Sequence, residues 1–366
     1  MSDNNAQLSF NGVFYAGSYG DADEPTIHVC AFNGRTNELS VIQSVSGLEN
    51  ASYLALHPGG RFLYAVSETA ATGDAVGGSA AAYGIEADTG RISAVGSRLL
   101  SYGAHPCYIS TDQAGRALFA ANYTGGNVVL FPLSPEGELA AASSVQRHEG
   151  ELGPNAARQD APHAHCITPL GNSGFVCAAD LGLDAVIIYR YDAERLTLTQ
   201  HGICNVHRGA GPRHLVFHPV LPVGYVLNEL DSTITWLKVD AEQGVIGAGP
   251  AISALPAGYE GYNDAADIHL APSGRYLYSS NRGHDSIAVF AVDQGSGALT
   301  LVQHIDCGGE TPRNFAITPD GGHLLAAHQK SGSIAVFSVD TETGLLTATG
   351  ATLKLPSPVC IKFADA

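Results

Sequence analysis

Long apolar segments are missing from this 366-residue sequence. No stretch approaches the ~18 consecutive apolar residues that a transmembrane helix needs. The first ten residues, MSDNNAQLSF, also lack the basic and apolar segments of a secretory signal peptide. We therefore predict a soluble, cytoplasmic protein that has no membrane partner.

Positive charge is scarce as well. Lys and Arg number 18 against 35 Asp and Glu, so the net charge is −17 at pH 7. Nucleic-acid binding depends on clustered cations that neutralise phosphates, and this balance argues against a nucleic-acid partner. It does not exclude a small anionic substrate, because a few arginines can create a local field that opposes the global one.

Sequence motifs of several common activities are absent. The chain contains no GxGxxG, no P-loop, no HExxH and no GxSxG, so nucleotide-dependent and serine-hydrolase functions lack support. Its seven cysteines form no CxxC pair, and most of them lie in apolar runs. We interpret them as buried free thiols in a reducing compartment. We expect no cofactor.

What the sequence does contain is glycine, proline and a repeat. There are 43 glycines and 18 prolines but no long helix-forming runs, which is typical of many short strands joined by tight turns. An apolar strand with a polar end recurs at intervals of roughly 47 to 57 residues, close to the range of propeller repeats. It occurs seven times, as VFYAGSY, RFLYAVSE, ALFAANY, GFVCAAD, VGYVLNE, YLYSSNR and HLLAAHQ.

A full repeat contains four strands. The recurring strand is followed by one such as SIAVFSVD, then a turn such as TETG and a short fourth strand. A first strand of the type PRHLVF precedes it in six repeats, and the seventh, PVCIKF, lies at the C-terminus. We predict an all-β, seven-bladed β-propeller with four antiparallel strands per blade, closed by the C-terminal strand joining the N-terminal blade. One domain then spans residues 1–366, with about residues 1–10 as a flexible N-terminus.

The start of each innermost strand and the end of the strand beside it should meet at one mouth of the central channel. The first position holds Ser52, Cys107, His163, Arg213, Asp267, Arg313 and Val359. The second position holds Tyr19, Glu68, Tyr123, Asp180, Glu229, Arg282 and Gln329. Ionisable groups that converge on a concave surface predict a binding site. The alternative is a polar plug in which arginines pair with acids across the channel.

Two long connections should rim the same opening. They cover residues 143–162 and 255–266, and loops of this length are usually functional, although simple surface insertion is the alternative. The first leads into an HAH segment that presents His163 and His165 on one strand face. Two imidazoles without a firmly placed third ligand do not make a metal site, so we predict no metal.

Several segments resemble a known family. They are PHAH, GAGPRHLVFHP, YVLNEL, ADIHLAPSGRYLYSSNRGHDSIAVF and PRNFAITPDGGHLLAAHQKSGSIAVF. They are similar to the seven-bladed lactonase family, which includes bacterial 6-phosphogluconolactonase and the fungal 3-carboxy-cis,cis-muconate lactonizing enzyme. The resemblance runs along essentially the whole chain and implies catalytic roles for His163, Arg213, Glu229 and Arg282, while His165 and the loop 143–162 are local elaborations that bear on substrate choice.

The implied chemistry suits these residues. Lactone hydrolysis needs a base that activates water and donors that stabilise the oxyanion. The base is Glu229 or His163, and Arg213 and Arg282 hold a phosphate or carboxylate. A carboxylate between arginines stays ionised, which favours Glu229 as proton acceptor. Substrate-binding roles are expected for Arg313, His165, Asp180, Tyr123, Glu68, Tyr19, Gln329 and Asp267.

The leading hypothesis is hydrolysis of 6-phospho-D-glucono-1,5-lactone to 6-phosphogluconate, a step of the pentose phosphate pathway. The partner would be a small anionic sugar lactone, and the protein a monomer or small homo-oligomer. The residues leave three alternatives open. These are a lactonase for an unphosphorylated or acidic sugar lactone, a carboxymuconate-type cyclase, and a non-enzymatic interaction platform built on the same fold.

Overall fold

The computed structural model describes residues 10–364. The predicted flexible segment falls on residues 1–9, which lie outside the described residues, except for Phe10. Phe10 is buried, and its ring packs edge-on against that of Phe363 at 5.1 Å. The single-domain prediction for residues 1–366 stays a prediction at both ends of the chain.

Seven four-stranded antiparallel sheets make up the described part of the chain, which confirms the predicted propeller. The innermost strands are Leu54–Leu56, Pro106–Thr111, Ala164–Pro169, Pro212–Phe217, Asp264–Leu270, Pro312–Ile317 and Pro358–Phe363. The second strands are Asn11–Ser18, Phe62–Ser67, Ala117–Asn122, Phe175–Asp180, Val223–Asn228, Tyr276–Arg282 and His323–His328. The third strands are Ile27–Asn33, Ser79–Ile85, Asn127–Pro132, Ala185–Asp192, Thr233–Asp240, Ser286–Val292 and Ser333–Val339. The outermost strands are Glu38–Val45, Ile92–Leu100, Ser144–Arg147, Thr197–Asn205, Val245–Ser253, Leu299–Asp306 and Leu346–Lys354.

Two details differ from the sequence prediction. A small hairpin, Ala71–Thr72 with Ala75–Val76, is inserted between a second and a third strand. The supposed loop 143–162 begins with an outermost strand, Ser144–Arg147, so its irregular part starts only at residue 148. Within residues 10–364 there is no helix long and apolar enough to cross a membrane.

The C-terminal strand closes the ring, as predicted. Pro358–Phe363 pairs antiparallel with Asn11–Ser18, and Phe14 lies opposite Phe363 in the register. Both rings are buried, so the two ends of the chain share one blade and one apolar cluster. Closure leaves only short, protected strand edges around the ring.

Neighbouring blades are held together by apolar packing and by a recurring hydrogen bond. The second strands are almost wholly buried because another blade covers each of their faces. In three blades a tyrosine of this strand donates to the carbonyl of a turn glycine in the next blade. The pairs are Tyr15 with Gly90 at 3.0 Å, Tyr225 with Gly297 at 2.6 Å, and Tyr278 with Gly344 at 2.9 Å. These glycines have φ near +70° and no room for a Cβ atom, so the DTG, GSG and TETG turns serve both hairpin and blade packing.

Candidate active site

In five of the seven innermost strands, a β-bulge turns one side chain into the channel mouth. In Pro212–Phe217, Pro212 pairs with Asn228 and His214 with Leu227, which leaves Arg213 unpaired between them. The same interruption occurs in four other blades. The residues at this position there are Cys107, His165, Arg313 and Val359. A bulge re-aims a side chain in this way, and bulges are frequent beside active sites.

Glu229 lies at the centre of the cluster that these bulges create. It directly follows the strand Val223–Asn228, and its carboxylate is almost fully buried. Its Oε2 atom accepts a hydrogen bond from Nε of Arg213 at 2.8 Å and lies 3.0 Å from a terminal nitrogen of Arg282. Its Oε1 atom accepts a hydrogen bond from Arg158. Nε2 of His165 lies 3.9 Å from Oε2.

The charges around Glu229 fix its protonation state. Burial raises the pKa of Glu229, but the guanidinium groups of Arg282, Arg213 and Arg158 together with His165 outweigh burial and hold this pKa well below its usual range. Burial, with the charge of Arg213 next in size, lowers the pKa of His165 well below that of a free imidazole. The site therefore contains an ionised carboxylate and a neutral imidazole at physiological pH.

A cavity of about 380 Å³ opens above this cluster. Its volume is within the usual range of small-molecule sites. Arg158, His165, Glu229, Arg282 and Arg313 line it together with Glu68, Cys107, Tyr123 and Asp264.

Arg313 is the arginine of this cavity whose guanidinium is available to bind an anionic ligand. Among residues 10–364 its guanidinium makes no ion pair with a carboxylate, and it lies 5.4 Å from the ring centre of Tyr19. The Tyr19 hydroxyl donates to Glu68 at 2.9 Å, so both residues support the wall of the cavity beside Arg313. A half-buried guanidinium that has no carboxylate partner is a strong site for a phosphate or carboxylate.

Most of the residues proposed from the sequence lie at or beside this cavity, but His163 does not line it. Its ring stacks on Tyr123 with a centroid distance of 4.4 Å. One ring nitrogen lies 3.1 Å from the Tyr123 carbonyl and the other 3.0 Å from the exposed Asp160 carboxylate. His165, two residues later, is the imidazole that reaches Glu229, because Ala164 and not Pro162 occupies the position of Pro212 in the register.

Asp180 also lies outside the cavity. It pairs with Ala164 at the end of its strand, as Asn228 pairs with Pro212, so Leu181 and not Asp180 matches Glu229. The buried Asp180 carboxylate is bonded to His148 at 2.6 Å and to the backbone N–H groups of His163 and Leu183. Its observed contacts organise the loop that precedes His163.

Asp267 and Gln329 do not line the cavity either. Asp267 lies deeper in the channel than Arg213, in a layer of side chains with His214 and His269. It accepts hydrogen bonds from His214 at 2.7 Å and from His269 at 2.8 Å. This layer borders a larger cavity of about 1100 Å³ on the opposite face. None of the described residues that line the larger cavity is an arginine, so we place the ionic chemistry at the smaller one. Gln329 donates its backbone N–H to Thr311 and stays away from both cavities.

Sequence reasoning missed Arg158, which the irregular loop after Arg147 carries into the site. Nη1 of Arg158 lies 3.6 Å from Oδ2 of Asp264, at the end of the second long connection. The prediction that both long connections rim one opening is thereby confirmed. Loop length was the only signal in the sequence for Arg158. No group of three or more His, Cys, Asp or Glu placed to hold a metal ion occurs in the part of the chain from 10 to 364.

The chain is similar to known lactonases in both sequence and structure. The family model described as "Lactonase, 7-bladed beta-propeller" matches residues 13–363. A 6-phosphogluconolactonase of Bacillus subtilis (strain 168) is 34% identical over 351 residues, which cover 96% of this chain and 98% of that protein. The crystal structure of a candidate 6-phosphogluconolactonase from Bacteroides fragilis superimposes with a TM-score of 0.88 at 32% identity, covering 99% of this chain and 100% of the other. The periplasmic gluconolactonase PpgL of Pseudomonas aeruginosa gives 0.89 at 29% identity, covering 97% and 99%.

Proposed function

The chain belongs to the seven-bladed β-propeller lactonase family, and we propose that this sugar-lactone hydrolase acts on 6-phosphoglucono-1,5-lactone to give 6-phosphogluconate. The observation that carries the choice of substrate is the set of arginines in the cavity. Three guanidinium groups, those of Arg158, Arg282 and Arg313, line it in a chain that carries a net charge of −17. The carboxylates of Glu68, Glu229 and Asp264 line the same cavity, but the guanidinium of Arg313 forms an ion pair with no carboxylate among residues 10–364 and so favours a lactone that carries an anionic group.

The proposed reaction begins with a water molecule held between Glu229 and the lactone carbonyl carbon. The water oxygen attacks this carbon while Glu229 takes a proton from the water. The carbonyl oxygen becomes an oxyanion, and the guanidinium of Arg282 donates to it. The bond between the carbonyl carbon and the ring oxygen then breaks, and the ring oxygen leaves as a hydroxyl with the proton from Glu229. The resulting carboxylic acid ionises into solvent.

We assign the base to Glu229 and not to His163. Both ring nitrogens of His163 face oxygen acceptors, those of Tyr123 and Asp160. His165 is neutral and lies beside the Glu229 carboxylate, where it can donate to the reacting oxygens. The Arg213 guanidinium is fixed beneath the carboxylate by the Ala266 carbonyl and by His214, so it holds Glu229 in place.

A substrate panel tests this proposal. Purified protein is assayed with 6-phosphoglucono-1,5-lactone, with unphosphorylated glucono-1,5-lactone, and with 3-carboxy-cis,cis-muconate, each against its spontaneous reaction. We expect the highest kcat/KM with the phosphorylated lactone and no cyclisation of the muconate. A higher kcat/KM with glucono-1,5-lactone, or turnover of the muconate alone, would contradict the proposed substrate.

We also propose that the protein works in the cytoplasm. All seven cysteines are buried and unpaired, as is usual for proteins of a reducing compartment. Cell fractionation with an antibody to the protein tests this, and recovery in a periplasmic fraction would contradict it. A monomer or small homo-oligomer stays a prediction, which light scattering would check.

A further inference from the structure

We propose that Arg158 responds to the substrate. The anionic group of the lactone draws its guanidinium away from Oε1 of Glu229, and this exposes the oxygen to the attacking water. The inference rests on the proposed function, because it concerns the same cavity and its proton acceptor. It makes the phosphate of the substrate an activator of the base as well as a binding group.

The two oxygens of Glu229 are held very differently. Oε2 faces both Arg213 and Arg282, whose side chains are 3% and 12% exposed. Within the described part of the chain, Oε1 accepts from Arg158 alone, whose side chain is 34% exposed. Movement of one partly exposed side chain therefore opens one face of the carboxylate, while the opposite oxygen stays fixed.

The other two arginines are tied to the scaffold. Arg213 also donates to the carbonyl of Ala266. Arg282 donates to the carbonyls of Asp264 and Ala265 at 3.3 and 3.2 Å. Apart from Glu229, the carboxylate that Arg158 reaches among residues 10–364 is that of Asp264, at 3.6 Å, and the side chain of Tyr123 is its remaining hydrogen-bond partner. Of the three guanidinium groups on Glu229, that of Arg158 is thus the one whose release breaks no backbone contact.

The backbone under Arg158 does not have to move. The neighbouring Gln159 is buried and donates to the carbonyl of Leu181 at 2.9 Å and to Oδ1 of Asp184 at 2.7 Å. Its own side-chain oxygen accepts from the backbone N–H of Asn155 at 3.0 Å. The loop is therefore anchored one residue from Arg158, and rotation about side-chain bonds suffices to carry the guanidinium from Glu229 to a ligand in the cavity.

Such a movement changes kcat and not only KM. While Arg158 bonds to Oε1, four groups face the carboxylate, namely Arg158, Arg213, Arg282 and His165, and their charges weaken the carboxylate as a proton acceptor. A phosphate between Arg158 and Arg313 removes one of these partners. A neutral lactone leaves Arg158 in place, so it reacts slowly even when it is bound. Binding energy from a distant group is then used in the chemical step.

The test supplies the anion separately from the lactone. Glucono-1,5-lactone hydrolysis is measured with increasing sulfate, at constant ionic strength kept with chloride. Sulfate is a poor base, so it adds little uncatalysed hydrolysis. For the wild-type protein we expect saturable activation of kcat by roughly tenfold. In Arg158→Gln we expect a higher kcat on the neutral lactone than in wild type, no response to sulfate, and a raised KM for the phosphorylated lactone.

Arg208→Gln is the matched control. Arg208 also ties this loop, through Glu151 at 2.9 Å and the Leu152 carbonyl at 3.0 Å, but it lies outside the cavity. It should respond to sulfate as wild type does. Arg158→Lys keeps a positive charge and should therefore keep part of the activation by sulfate. This variant provides the test if Arg158→Gln does not fold.

Three results would overturn the inference. The first is that sulfate only inhibits the wild-type protein. The second is that Arg158→Gln is still activated by sulfate. The third is that the kcat of Arg158→Gln falls by the same factor on both lactones. The proposed function has a separate readout in the same assay, because it fails if wild-type protein does not accelerate hydrolysis of the phosphorylated lactone, whatever sulfate does to the neutral one.

Discussion

Nδ1 of His214 lies 2.7 Å from Oδ1 of Asp267, and this buried pair supports Arg213 from below. Because Nδ1 donates to the carboxylate, Nε2 of His214 is left as an acceptor, 3.1 Å from Nη1 of Arg213. Arg213 in turn donates from Nε to Glu229. One chain of hydrogen bonds thus runs from the middle of the channel to the proposed base.

Asp267→Asn should therefore slow the reaction without touching the substrate. An amide can donate to Nδ1 and favour the other imidazole tautomer, whose Nε2–H points at a guanidinium. We expect kcat to fall roughly tenfold while KM changes little. Asp112→Asn is the matched control, since Asp112 is also buried and bonded to backbone N–H groups but lies outside the channel. Equal kcat values for Asp267→Asn and wild type would contradict this role.

Acid should destabilise the protein through its buried histidines. Burial lowers the pKa of His214 to about 3 and that of His165 well below its usual value, whereas both titrate near 6.5 in an unfolded chain. Between about pH 6.5 and 3 the unfolded chain binds protons that the folded protein does not. The free energy of unfolding should therefore decrease as the pH is lowered. The decrease should be about 1.4 kcal/mol per pH unit for each histidine once the pH is below about 6.

The depressed pKa values of Glu229 and Asp267 act in the same direction. Their stabilising effect is present above about pH 4 and is lost as the pH falls further. Urea denaturation between pH 4.5 and 7.5 measures the slope, and His214→Gln should reduce it. A free energy that stays level down to pH 4.5 would show that these imidazoles titrate normally.

The seven cysteines should be unreactive in the native protein. All are buried, and burial raises the pKa of Cys107, which is the one beside the cavity, well above its usual value. A thiol that stays protonated is a poor nucleophile. Thiol titration should therefore find fewer than one reactive group in native protein and seven in guanidinium chloride, counted by mass spectrometry after alkylation. Fast labelling of Cys107 in the native state would contradict the observed burial.

Ring closure should make the C-terminal strand essential to stability. Ile361 is 1% exposed and packs in the cluster that joins both ends of the chain. Ile361→Ala should lower the unfolding free energy by roughly 2–5 kcal/mol. Val302→Ala removes methyl groups from an exposed position of an outermost strand and should cost less than ~0.5 kcal/mol. Similar melting temperatures for the two variants would mean that the closing strand adds little.

The repeat was strong enough in the sequence to predict the fold and most of the site. In five blades the sequence predicts the correct alignment, because their first strands keep Pro106, Pro212, Pro312 or Pro358 before the bulge or show the same apolar pattern. This brought Glu229, Arg213, Arg282 and Arg313 to one opening without coordinates. These residues are fixed by strand register, which apolar periodicity reveals.

The remaining positions could not be read from periodicity. In the innermost strand Ala164–Pro169, the sequence PHAHCITP has a proline two residues before the position of Pro212, so it predicts His163 where the structure places His165. The second strand of the same blade ends in Asp180, and the sequence pattern predicts this acid at the channel position that Leu181 occupies. Arg158 lies in an irregular loop, whose path depends on anchors such as Gln159 and not on a repeating pattern.

The most direct test of the account is the hydrolysis rate of 6-phosphoglucono-1,5-lactone by Glu229→Gln beside wild type. The substitution keeps the shape of the side chain but removes the charge that three arginines surround. We predict a loss of kcat of roughly 10²- to 10⁴-fold in a protein that is still folded by circular dichroism. The exposed Glu310→Gln serves as the control. A folded Glu229→Gln protein with a kcat near that of wild type would contradict the central claim that this carboxylate accepts the proton.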